Sequence, residues 1–112
     1  MTMRFLMTTK GIDAAPPTPE VMAEMAAFVE EMTRAGVLLA TGGLDPAGIH
    51  VSASGGKITV TDGPFTEAKE AIVSFALIET RSKEEAVEMS RRFWKIIGDG
   101  EGHIQQVFGP QG

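Results

Sequence analysis

Residues 71–79, AIVSFALIE, constrain the fold more than any other stretch of the chain. Apolar side chains occupy both alternations: Val73, Phe75 and Leu77 on one, Ile72, Ala76 and Ile78 on the other. A β-strand sends successive side chains to opposite faces, so such a strand belongs inside a sheet covered on both sides. Helices packed on one face supply half of that cover. The other half must come from elsewhere.

The flanking segments say which sheet this is. Residues 3–9, MRFLMTT, read as a strand, and a loop with Gly11 and three prolines follows. A helix then opens on Thr18 as N-cap, with Pro19 in its first turn and Glu20 suiting the positive end of the dipole. Val21, Met22, Met25, Phe28, Val29 and Met32 recur at three- and four-residue steps and form one stripe, and Gly36 ends the helix. Residues 37–44 form a second strand, and DPAG is a turn. Residues 49–53 and 57–61 flank Ser54-Gly55-Gly56 as a small hairpin. After residues 71–79, the SKEE pattern from Ser82 to Glu85 caps a second helix, which carries Ala86, Met89, Phe93 and Ile96 or Ile97 on one face and stops at Gly98. Residues 103–109 are the last strand.

Two strand–helix–strand halves predict an α+β, ferredoxin-like βαββαβ antiparallel sheet, with two helices on one face and an inserted β-hairpin between the halves. The chain of 112 residues is read as a single domain over 1–112. Residues 71–79 and 37–44 are apolar toward the open face as well, and a bare patch of that size is unusual on a monomer. A second copy packing sheet to sheet is the preferred cover, with a pocket enclosed between sheet and partner. The alternative is that the hairpin folds over the open face.

Composition removes several classes of function. The net charge is −5 with no basic stripe, which argues against nucleic acid and against a polyanionic membrane surface. The absence of cysteine excludes disulfides, thiol catalysis and Cys-rich zinc sites. The N-terminal residues are too short an apolar run for a signal-peptide core, so a cytoplasmic location is expected. Dinucleotide fingerprint, P-loop and nucleophile elbow are all missing, and no cofactor is implied.

The stretch VTDGPFTEAKEAIVSFALIE (residues 60–79) resembles the DGPF-type branch of the YCII-related proteins. AGVLLATGGLDP before it and AVEMSRRF after it extend the resemblance over nearly the whole chain. The resemblance implies a dimeric α+β barrel of ferredoxin-like protomers and little about activity, since most such proteins have no assigned reaction. DGPF-type proteins are often encoded near sigma factors of the extracytoplasmic-function class. The wider group resembles muconolactone-isomerase-like proteins, and some members carry a His–Asp pair suggested to act in acid–base chemistry. The first helix here contains no histidine, so that pair is not carried over.

Six residues are candidates for a ligand site: Arg4, Asp62, Phe65, Glu67, Lys69 and Glu70. A turn aspartate ordinarily bonds the N–H two residues on, but residue 64 is proline and has none. Asp62 therefore caps Phe65 or Thr66, or turns its carboxylate to a ligand and is then the candidate catalytic base. Gly63 is expected because the residue before proline is sterically restricted. Phe65 anchors the turn in the core or the dimer seam, or stacks on a ligand. Glu67 and Lys69 share one side of an extended segment and with Glu70 form either a polar clamp at the pocket mouth or a solvated rim. Arg4, among apolar neighbours, needs an internal carboxylate such as Asp62 or an anionic ligand. His50 and His103, the remaining groups with pKa values ordinarily near neutrality, make a weak metal signal, and no metal site is assigned. The chain thus reads as a small ligand-binding homodimer, in an accessory or regulatory role. Cofactor-independent acid–base catalysis of isomerase or lyase type through Asp62 and a pure protein-interaction module are the alternatives.

Overall fold

The computed structural model describes residues 1–10, 16–63 and 71–110. The elements run β1 (Met3–Lys10), α1 (Pro19–Arg34), β2 (Leu38–Gly43), β3 (Ile49–Ser54), β4 (Lys57–Asp62), β5 (Ile72–Thr80), α2 (Lys83–Ile97) and β6 (Gly102–Val107). One four-stranded antiparallel sheet has the order β2-β5-β1-β6, and β3-β4 form a separate two-stranded sheet. This is the expected ferredoxin-like α+β architecture, with β5, the doubly apolar strand, in an inner position.

Local chemistry explains where the helices begin and end. Thr18 Oγ1 accepts the Val21 N–H at 3.2 Å, and Pro19 occupies the first turn, where a missing N–H is harmless. Ser82 Oγ accepts the Glu85 N–H at 3.1 Å. Gly36, at φ 77°, takes the left-handed conformation that closes α1. In the hairpin, Gly55 and Gly56 both have positive φ, as a two-residue turn matched to the twist of its strands requires. In the DPAG turn, Asp45 Oδ1 accepts the Ala47 N–H at 2.9 Å.

Register fixes the two faces of the main sheet. Phe5 lies opposite Ile78, and both join Ala86 of α2 in a buried cluster beneath the helices. Their neighbours Leu6 and Leu77, also opposite each other, therefore point to the open face, as does Phe75. A bulge between Leu38 and Ala40 bends the edge strand β2. α1 packs on β2 and α2, and α2 on β5 and β1. The hairpin does not cover the open face, because every residue of β3 and β4 is exposed. It projects instead: the radius of gyration is 16.3 Å, against about 13 Å expected for a compact domain of this length.

Candidate functional site

Phe5, Ile78 and Ala86 make a small buried core for a chain with six apolar positions on the stripe of α1 alone. The reason is a cavity of about 420 Å³ between the helix layer and the sheet. Met25, Phe28, Val29 and Met32, the inner stripe of α1, form one wall. Met89, Phe93, Trp94 and Ile97 of α2 form another, with Met7, Ala76 and Ile104 of the sheet below. The stripes that the sequence marks as core are thus cavity walls for much of their length. The Phe93 and Trp94 rings meet edge to face, centroids 5.1 Å apart.

Polarity inside the cavity is sparse and local. Thr9 and Ser74 face each other across β1 and β5, and their hydroxyls share a hydrogen bond. Ser90 of α2 and Thr41 of β2 also border the space. Thr41 Oγ1 donates to the Phe75 carbonyl at 2.9 Å. Among the described residues the lining contains no Asp, Glu, Lys or Arg. Such walls suit an uncharged molecule, because a buried ionised group without a partner is strongly disfavoured.

The two walls are tied together at the surface. Arg92 of α2 donates two hydrogen bonds to the Glu31 carboxylate of α1, at 2.8 and 2.9 Å, and its guanidinium lies 4.9 Å from the centroid of the Phe28 ring. The hydrogen bonds from Arg92 hold the Glu31 carboxyl below its ordinary range, and Glu31 in turn raises Arg92. Phe28 is therefore clamped from outside while its ring contributes to the cavity wall.

At Gly102, the first residue of β6, a side chain is sterically forbidden. A Cβ built there would lie 2.2 Å from the Thr8 carbonyl oxygen and 3.3 Å from the Trp94 ring. The close approach lets Trp94 reach the sheet edge, where Gly102 and His103 border the cavity.

The residues singled out from the sequence are scattered relative to this cavity. Arg4 is 59% exposed and lies on the open face, directly opposite Glu79. Its partner is Glu79 at 3.6 Å rather than Asp62, and Glu79 also accepts a 2.6 Å hydrogen bond from the Thr2 hydroxyl. Asp62 is exposed at the end of β4 opposite Ile49, on the same alternation as Ile58 and Val60. Gly63 has φ 95°, so it is required by its own backbone as well as by the following proline, and its N–H donates to the Gly48 carbonyl at 3.1 Å. Phe65, Glu67, Lys69 and Glu70 lie outside the described residues, as does Thr66. His50 is exposed on the polar side of the hairpin with Ser52 and Ser54. Among the described residues no cluster of metal-ligating side chains occurs, and no helix is long and apolar enough to cross a membrane.

Sequence reasoning passed over Thr9 and Ser74. The signal was present: each interrupts a helix-facing row of apolar residues, Ser74 in line with Ala76 and Ile78, Thr9 with Phe5 and Met7. A polar residue in a row that faces the helices needs either a partner or a cavity, and here it has both.

Fold and sequence together place the chain in a class. The YCII-related domain matches residues 3–94, and the chain belongs to this family. An uncharacterised protein of Rhizobium meliloti (strain 1021) is 36% identical over 73 residues, which are 63% of this chain and 59% of that protein. The matched region thus spans less than two thirds of that relative's length. Among solved structures, the divalent cation tolerance protein (Cut A1) of Thermus thermophilus is similar with a TM-score of 0.41 and 11% identity, over 100% of this chain and 87% of that one.

Proposed function

We propose that the protein binds a small, uncharged, largely apolar organic molecule in the cavity between helices and sheet, and does so as a homodimer joined through the open sheet face. The observation that carries this reading is the cavity standing where a core would be. The walls are chiefly apolar, yet Met25, Phe28, Val29, Met89, Phe93 and Trp94 are only half-buried in the single chain. An apolar molecule seated there removes that surface from water, which is favourable in proportion to the area covered. An organic ligand with one hydroxyl or carbonyl near Thr9 and Ser74 fits both the shape and the polarity. Four methionines on the walls, Met7, Met25, Met32 and Met89, favour an adaptable fit over a rigid one. The location differs from the sequence expectation of a pocket between sheet and partner. The open face, with Leu6, Phe75 and Leu77, is left to the second copy. Accessory or regulatory use of the bound molecule is consistent with a described lining that holds no carboxylate, lysine or arginine.

Trp94, the single tryptophan of the chain, reports directly on the site. Titration with N-phenyl-1-naphthylamine, a neutral fluorescent probe, is expected to saturate at one per chain with energy transfer from Trp94. Ser90→Phe, which fills the space from α2, should weaken binding about tenfold or more. Charged 1-naphthoate should bind far less well than 1-naphthol. Probe binding that never saturates, or that ignores the filled cavity, would defeat the proposal.

A further inference from the structure

We infer that the β3-β4 hairpin is a dimerisation arm whose apolar face is seated on a second copy of this chain. This rests on the homodimer proposed above and extends it beyond the four-stranded sheet. The hairpin alternates cleanly. Ile49, Val51, Ala53, Ile58 and Val60 fall on one side, with Val51 opposite Val60 and Ala53 opposite Ile58. His50, Ser52, Lys57, Thr59 and Thr61 fall on the other. This is the pattern of a sheet with one buried face. Yet Ile49, Val51, Ile58 and Val60 are 61–69% exposed in the single chain. A two-stranded ribbon is marginal by itself in water, so a partner is needed to hold it.

Three observations select a second copy as that partner. The hairpin is inserted in the chain between the edge strand β2 and the inner strand β5, both of them strands of the sheet whose open face is assigned above to the dimer. The open face alone is small: at ~3.4 Å per residue and ~4.8 Å between strands it projects roughly 450 Å². The hairpin adds roughly 200 Å² by the same spacing, bringing the total to roughly 650 Å², inside the roughly 600–1,000 Å² per partner of a standard specific interface. Finally, the apolar side of the hairpin carries one charge, Asp62 at its base, and no cation. That leaves it poorly suited to anionic lipid or nucleic acid and well suited to an apolar protein surface.

The test combines mass and local protection. Wild-type protein is expected to sediment as a dimer at about 10 μM, with the methyl groups of Val51 and Val60 shielded from a soluble paramagnetic agent. Val51→Glu combined with Val60→Glu should weaken dimerisation at least 100-fold while the far-ultraviolet circular dichroism stays that of the wild type. Thr59→Glu, on the polar side, should leave the dimer intact. Should the double variant fail to fold, the wild-type methyl measurement decides alone. A wild-type dimer whose Val51 and Val60 methyls remain open to solvent, or whose affinity ignores the double substitution, overturns the arm and leaves the sheet-face dimer standing. A wild-type monomer overturns both. Binding to phosphatidylcholine vesicles with the methyls open in the free dimer would assign the face to lipid and also overturn the arm.

Discussion

Single residues with no chemistry of their own set the limits of the site. Gly102 has no reactive group and sits in a segment, GDGEG, that reads as a plain loop. It nevertheless decides how closely β6 and Trp94 approach β1, because a Cβ would meet the Thr8 carbonyl oxygen at 2.2 Å. Backbone atoms cannot swing aside as a side-chain tip can. Gly102→Ala should therefore destabilise the protein by about 1–3 kcal/mol, the usual range for forcing extra atoms into a packed site. Urea denaturation of the pair gives the number, and an unchanged midpoint would mean that β6 yields freely. The Thr9–Ser74 hydroxyl pair is a second case at this scale. Each hydroxyl satisfies the other, so the pair remains free to re-aim one lone pair or proton toward a bound molecule.

Among the elements, the two helices behave as walls held at a fixed distance. Arg92 spans them through Glu31 and Phe28. Both charged side chains are about half exposed, so the pair contributes modestly, and its effect is best seen through pH. The Glu31 carboxyl lies below its ordinary range in the folded protein. Its contribution is present above the unfolded-state pKa and is lost as pH falls through the folded one. Glu31→Gln should therefore be slightly less stable than wild type near pH 7, and the gap should close in acid as the wild-type carboxyl takes up its proton. A gap that persists at ~pH 3 would show that Glu31 acts through packing rather than charge.

For the whole molecule, ligand and assembly are linked to stability in separable ways. A molecule that binds only the folded chain stabilises it by RT ln(1 + [L]/Kd), about 2.7 kcal/mol at 100 times Kd. N-phenyl-1-naphthylamine should raise the melting temperature accordingly, and Ser90→Phe should remove most of the rise. Dimerisation acts through protein concentration instead. The melting temperature should climb as the chain is concentrated, and a value independent of concentration would speak against the dimer.

Local rules sufficed for most of the elements. Thr18, Pro19, Ser82, Gly36 and the Gly55-Gly56 pair fix helix ends and the hairpin turn through their own hydrogen bonds and dihedral angles, which act within a few residues. Strand β5 announced its inner position through its double alternation. The α1 stripe was equally legible as an inward face, but periodicity gives only a direction. It does not say whether the space ahead is filled, so the same residues serve as cavity walls. Arg4 demanded a carboxylate, and register alone chose Glu79 over Asp62. Ser74 and Thr9 lie 65 residues apart and meet only when β1 pairs with β5. The sequence by itself determined the elements and their inward faces. Tertiary structure decided the gap between helices and sheet and which hydroxyls look into it, because those depend on distances between segments far apart in the chain.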